Sequence, residues 1–200
     1  MWSLHNIKAV FVVVGLVAVL LFAWPSLGLV VHLPYGERFS ELYILGPGHM
    51  ASDYPFNVSA GVDYLVYVGV GNHLGGSVYY EWNVKFANWT EPLPNSTDAT
   101  PSPLPRLYGY RVFLADNETR EDALMFSFLN ITSAENITRV GGLTINGAIY
   151  SVDKTCAWDP VYKGTFSRLL VELWLYNASL DVFAYHNRFV DLILNMTAGS

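Results

Sequence analysis

The sequence predicts an all-β fold, a two-sheet sandwich preceded by one N-terminal transmembrane helix. Short apolar or alternating runs recur from Glu41 onwards, and each is bounded by Gly, Pro, Asn, Asp or Ser. Aromatic residues make up 15% of the chain and charged residues only 14%, a composition that suits half-buried strands. Residues 9–31 carry no charge. We therefore expect one membrane segment and one outer domain.

The first element is the uncharged run of residues 9–31, which as a helix would span about 35 Å, enough to cross a bilayer. We interpret it as an uncleaved anchor after a short cytoplasmic N-terminus, residues 1–8. Two alternatives stay open. Pro25 shortens the run enough for a long signal peptide that is cut after Gly28. Lys8-Ala9 before an apolar run also resembles the processing site of archaeal type IV pilin precursors, although Pro25 comes early for a pilin helix.

The side of the membrane follows from the N-glycosylation pattern Asn-x-Ser/Thr. This pattern occurs eight times after the apolar run, far more often than chance predicts. We therefore expect a single-pass protein of the cell membrane with its C-terminal domain outside the cell. The eight acceptors are Asn57, Asn88, Asn95, Asn117, Asn130, Asn136, Asn177 and Asn195.

A polar linker, residues 32–40, leads into the outer domain, residues 41–200. Between Val78 and Phe86 every second residue is apolar, and Tyr79 and three polar residues alternate with them, which predicts a half-buried strand. The stretch from Leu169 to Tyr176 repeats this alternation. About seven to nine such strands predict two facing sheets. Residues 122–129 are predicted as a strand or a short helix.

Residues 88–106 break this rhythm. They hold five prolines and two of the glycosylation acceptors, and they cannot run as a central strand. We predict a long exposed loop, either a glycan-bearing spacer or contact loop, or a tolerated surface insertion.

The glycine-rich run Val68 to Ser77, VGVGNHLGGS, has two interpretations, a phosphate-binding loop or a turn between strands. A dinucleotide-binding loop needs a helix after its glycines, and here a second strand follows. A P-loop needs a Gly-Lys-Ser/Thr ending, which this run lacks. We predict strand, turn, strand, with Asn72 and Gly75-Gly76 accommodating positive φ.

The stretch from Arg38 to Val84 carries a set of residues that match one family pattern: Phe39, Glu41, Tyr43, Leu45, Gly46, Pro47, Tyr54, Pro55, Asn57, Asn72 and His73. Through them the stretch resembles the C-terminal domain of the archaeal domain-of-unknown-function family numbered 1616, and a weaker similarity covers Leu169 to Tyr176. The resemblance implies an immunoglobulin-like sandwich outside a membrane anchor, and it brings no activity and no catalytic residues. Residues 88–106 and 107–165 depart from the family pattern, which leaves the strand order there open.

Motifs for catalysis, cofactors and metals are missing from the sequence. The five histidines lack metal-ligand spacing, and neither a carboxylate pair nor a Gly-x-Ser-x-Gly elbow is evident. Cys156 is the single cysteine, which excludes an internal disulfide, and we expect it to be buried. The net charge of −6 without a basic cluster argues against a nucleic-acid partner. We expect no enzyme, no cofactor and no metal site.

These features predict a membrane-anchored, N-glycosylated surface protein with a non-catalytic interaction or structural domain. A processed, secreted subunit of a surface filament or pilus is the first alternative, and an envelope enzyme without a recognisable motif is the second. Expected partners are the membrane, through residues 9–31, and envelope proteins, glycans or further copies of the chain. The acceptor-free loop Leu45 to Pro55 is a candidate contact near the membrane or a neighbouring subunit, through His49, Met50 and Tyr54.

Overall fold

The computed structural model describes residues 4–30 and 37–197. The chain divides into two units, residues 1–38 with one helix and residues 39–200 with ten strands. Outside the described residues lie residues 1–3 of the predicted cytoplasmic N-terminus, Val31 of the predicted anchor, residues 32–36 of the predicted linker and the C-terminal residues 198–200. The elements are α1 (Leu4–Val30), β1 (Phe39–Leu45), β2 (Asn57–Ser59), β3 (Asp63–His73), β4 (Val78–Asn88), β5 (Tyr108–Leu114), β6 (Thr119–Ala134), β7 (Ile137–Ile145), β8 (Ala148–Asp159), β9 (Gly164–Asn177) and β10 (Val182–Thr197).

Within residues 4–30 and 37–197, no helix has both the length and the apolar character that crossing a membrane requires.

The second unit is all-β, as predicted. Its strands form one curled sheet whose two halves face each other, and we call these halves the first and the second sheet. The first sheet has the order β1-β3-β6-β7-β8, and the second has the order β5-β4-β9-β10-β2. All pairings between these strands are antiparallel except that of β2 with β10. The two sheets are joined where Trp158 and Asp159 of β8 pair with the start of β9. The predicted two-sheet sandwich is therefore confirmed, and its two sheets are continuous at one corner.

The strand order follows the immunoglobulin arrangement. β1, β3 and β6 take the places of strands A, B and E, while β4, β9 and β10 take those of C, F and G. The first two strands are edge strands of different sheets: β1 pairs with β3 in the first sheet, and β2 pairs with β10 in the second. In the region whose strand order the sequence left open, β5 pairs with β4 in the second sheet, and β6, β7 and β8 form a meander in the first.

The core lies between the two sheets and is rich in aromatic rings. Tyr80 and Trp82 of β4 are fully buried, and Phe86 of the same strand packs on Phe128 of β6 with ring centroids 5.5 Å apart. Because these residues alternate along β4, the period of two seen in the sequence decides which face of the strand enters the core. Deleting a buried ring of this kind costs about 3–5 kcal/mol.

Two local predictions need correction. The short helix considered for residues 122–129 is wrong: they belong to β6, where buried Leu124 and Phe126 flank exposed Met125 with the period of a strand. The first strand begins at Phe39, two residues before the predicted domain start.

Candidate functional site

The glycine-rich run is the end of β3 and the turn into β4, which confirms strand, turn, strand. Of the three residues predicted to accommodate positive φ, only Gly75 has one, at 84°. Gly69 and Gly71 serve a different purpose. A Cβ at Gly69 would lie 2.1 Å from the Tyr43 ring, and a Cβ at Gly71 would lie 2.6 Å from the Glu41 carboxylate. Both glycines therefore let side chains of β1 lie flat across β3.

Ionisable side chains gather above these glycines on the outside of the first sheet; we call Glu41, Tyr43, His49, His73 and Glu121 the outer-face cluster. The Tyr43 hydroxyl donates to Glu121 Oε1 at 3.1 Å, and His49 Nδ1 lies 2.6 Å from Glu121 Oε2. His73 Nε2 lies 3.5 Å from Glu41 Oε1. Partial burial and then the hydrogen bond to Glu121 raise the pKa of Tyr43 to about 12. The hydrogen bond from His49 lowers the pKa of Glu121. The cluster is a polar surface whose side chains are held by one another.

The predicted contact loop packs against this cluster. The His49 ring stacks on Tyr67 with centroids 3.7 Å apart, and the Tyr54 hydroxyl donates to the Ile44 carbonyl at 2.8 Å. Met50, by contrast, is 62% exposed at the loop tip. Within the second unit the loop follows Leu45, the last residue of β1, at the end of that strand opposite Phe39. Two of the three contact candidates thus have fixed structural partners.

Asn72 of the glycine-rich run is a fully buried hydrogen-bonding centre. The Tyr80 hydroxyl donates to its Oδ1 at 3.3 Å, and Ser40 Oγ lies 2.7 Å from that hydroxyl and 2.9 Å from His186 Nε2. This polar chain connects the two sheets at one end of the sandwich. Burial, followed by the charge of Arg188, lowers the pKa of His186. Asn72 Nδ2 donates to the carbonyl oxygens of Gly76, Leu114 and Ala115.

The Pro-rich segment is a long loop with mostly exposed residues, and parts of it are bound to the outside of the second sheet. A buried ion pair joins Lys85 of β4 to Glu172 of β9 at 2.9 Å. The Lys85 ammonium also donates to the Ser102 carbonyl at 2.6 Å, and the Ser102 N–H donates to Glu172 Oε1 at 2.8 Å. Arg106 binds Glu81 at 2.6 Å where the segment ends. Burying a charged group is costly unless the group is paired and hydrogen-bonded. The Pro-rich segment supplies hydrogen-bonding partners to the charged groups on this face when it covers them.

A pocket of about 610 Å³ opens where β4 ends beside β8, and we call it the tryptophan pocket. Asn88, Trp89, Trp158 and Val161 line it together with Cys156, whose predicted burial is confirmed. Burial raises the pKa of the Cys156 thiol to about 11, so this cysteine is a poor nucleophile at neutral pH. A neighbouring apolar cleft of about 360 Å³ shares Trp89 and is lined also by Phe56, Tyr162, Phe166 and Ile193.

All eight glycosylation acceptors lie within residues 37–197, and there none of their side chains is buried. Most stand near strand ends or in turns. Asn130 is different: it lies inside β6, with φ of 54°, at a break in the pairing with β7. Asn57 and Asn195 are direct neighbours, since Asn195 Nδ2 donates to Asn57 Oδ1 at 2.9 Å. The eight acceptors therefore lie outside the buried core.

Sequence reasoning missed the buried Lys85–Glu172 pair and the tryptophan pocket. An alternating strand gives no sign that a distant segment covers its polar face, although five prolines next to a lysine-bearing strand were a weak signal. Within residues 4–30 and 37–197, the structure brings together no group of three or more His, Cys, Asp or Glu suited to a metal ion.

Comparisons with known proteins add a family and distant structural likenesses. The family model described as "Domain of unknown function (DUF1616)" matches residues 33–137. No curated protein matches the chain. A CARDB domain from Pyrococcus furiosus, crystallised in complex with di-metal ions, is 10% identical with a TM-score of 0.40, over 83% of this chain and 94% of that one. A β-glucosidase from Listeria innocua is 13% identical with a TM-score of 0.40, over 82% of this chain and only 17% of that enzyme.

Proposed function

This chain belongs to the family described as Domain of unknown function (DUF1616), and we propose that it is a membrane-anchored, N-glycosylated cell-surface protein whose β-domain binds partners without catalysis. The observation that carries the proposal is the set of eight glycosylation acceptors on the second unit, all with side chains that reach solvent. Acceptor sequences matter only outside the cytoplasm, where glycans are added. The anchor itself is proposed from the uncharged residues 9–31.

The test is carried out on the full chain in a host that N-glycosylates proteins. Protease added to intact cells should remove the second unit, and the remainder should stay with the membrane in alkaline carbonate. Peptide mapping should find glycans on several acceptors. A protected and unmodified second unit would overturn the proposal. The mature N-terminus separates the anchor from the filament alternative, because an intact Met1 fits only the anchor.

We further propose that the loop at residues 45–55 contacts a partner of the envelope, mainly through Met50. The outer-face cluster holds the loop in one conformation, so a partner would not have to order it. Met50→Ser should weaken co-purification of the partner without lowering the melting temperature, since this side chain is 62% exposed. His49→Ala is the matched comparison, because it removes the bond to Glu121 and should lower the melting temperature. If Met50→Ser leaves every partner bound, the contact role is wrong.

A further inference from the structure

Asn88 is an acceptor that belongs to the wall of the tryptophan pocket. Its Oδ1 accepts hydrogen bonds from Thr90 N at 3.0 Å, from Thr90 Oγ1 at 3.1 Å and from Glu91 N at 3.0 Å. With the oxygen held on this side, Nδ2 donates to the Thr155 carbonyl at 3.2 Å, and Thr155 lines the same pocket. The nitrogen that would carry a glycan is thus directed along the pocket wall.

The pocket offers an apolar surface that is open to water. Trp158 is 44% exposed, Ile137 51% and Val161 77%. The volume of about 610 Å³ lies within the range of about 300–1,000 Å³ that is usual for small-molecule sites. A pyranose ring presents a face of C–H groups that packs against the electron-rich face of an aromatic ring. A sugar ring can therefore pack against the exposed apolar and aromatic side chains of this pocket wall.

We propose that the glycan on Asn88 folds back into the tryptophan pocket and covers Trp158 and Val161. The proposal rests on the proposed glycosylation of the second unit. The occupant is the first sugar residues of an N-linked oligosaccharide, delivered from a lipid-phosphate-linked donor. Nδ2 forms a bond to the anomeric carbon, the bond from that carbon to the phosphate oxygen breaks, the phosphate leaves with the lipid, and Nδ2 loses one proton. The second N–H stays available to the Thr155 carbonyl.

The other nearby acceptor is oriented differently. Asn195 lines an adjoining cavity with Trp158, but its Nδ2 donates to Asn57 Oδ1 at 2.9 Å and its Oδ1 accepts from Thr165 N at 3.0 Å. Its nitrogen thus faces β2 rather than Trp158. Asn177, at the end of β9, is not among the residues that line either cavity. These two asparagines supply the matched controls.

The test compares the full-length protein with Asn88→Gln, Asn195→Gln and Asn177→Gln, all produced in an N-glycosylating host. Hydroxyl-radical footprinting read by mass spectrometry measures the labelling of Trp158 and Val161. We expect labelling of both residues to rise several-fold in Asn88→Gln only. The melting temperature of that variant should fall by about 2–4 °C, the shift that a modest set of contacts produces in a chain of this size. The same substitution in protein from a non-glycosylating host gives the intrinsic cost, which is subtracted.

The results separate the two proposals. Glycans on other acceptors with a bare Asn88 would overturn this inference and leave the proposed function standing. Bare acceptors throughout would overturn both. A glycan on Asn88 with equal labelling in all variants would mean that the sugar extends into solvent, and greater labelling in Asn195→Gln alone would assign the cover to Asn195; each of these also overturns the inference.

Discussion

Gly69 and Gly71 show how single residues shape the outer face of the first sheet. Neither glycine has a positive φ. Each is needed because a side chain of β1 crosses over it, and a Cβ atom at that position would lie closer to this side chain than van der Waals distance. The glycines that resemble a nucleotide-binding loop in the sequence thus lie beneath side chains of the outer-face cluster.

Gly69→Ala should destabilise the domain by about 1–3 kcal/mol, as overpacking does, because the new methyl group meets the Tyr43 ring, which Glu121 holds in place. Gly76→Ala is the control from the same run, since a Cβ there meets nothing within 4 Å. Urea denaturation of both variants measures the difference. Equal destabilisation would contradict this account of Gly69.

His186 should make the protein sensitive to mild acid. Burial lowers its pKa in the folded state, so as the pH falls below about 6.5, the unfolded chain takes up the proton first. Stability should therefore be fully present above about pH 6.5 and decline as the pH falls towards the lowered pKa. Urea midpoints at pH 7.5 and 5.5 test this, and His186→Gln should flatten the change. An unchanged pH dependence in the variant would show that other groups are responsible.

At the scale of elements, the Pro-rich segment and the strands β4 and β9 form one unit. The outward face of β4 is polar in sequence, yet Glu81, Asn83 and Lys85 are each about 5% exposed or less. The segment covers them and supplies Ser102 and Arg106 as partners. A segment that looks like an insertion is therefore needed to pair charges of the sheet.

Lys85→Met should cost about 3–5 kcal/mol, because it leaves the Glu172 carboxylate buried without its cation. Limited proteolysis should then cut within residues 92–105, where the wild-type chain resists. Arg139→Gln is the control: its pair with Asp153 is 60% exposed on both sides, so the urea midpoint should barely move. If both variants behave alike, the buried pair does not hold the segment.

At the scale of the whole molecule, the hydrophobic core of the described residues draws only on the ten strands and the loops between them. We therefore expect residues 37–200, produced without the preceding 36 residues, to fold independently. Circular dichroism should show a β-rich spectrum and one cooperative unfolding transition. A spectrum of unfolded chain would mean that the first unit is needed for folding.

Short-range patterns were sufficient for much of this description. The alternation in β4 and β9 and the turn at Gly75 depend on residues a few positions apart, and both agree with the structure. The helix considered for residues 122–129 was wrong because a short apolar run fits both periods until its neighbours β3 and β7 are known.

Contacts between distant residues were decided only in three dimensions. Ser40 and His186 are separated by 146 positions, and Ser102 and Glu172 by 70. No local sequence pattern therefore predicts the hydrogen bonds between them. The continuity of the two sheets at β8 and β9, the burial of the polar face of β4 and the pocket beside Asn88 have the same origin. Side-chain periodicity determines which face of a strand is apolar, whereas the closure of the curled sheet determines what covers the other face.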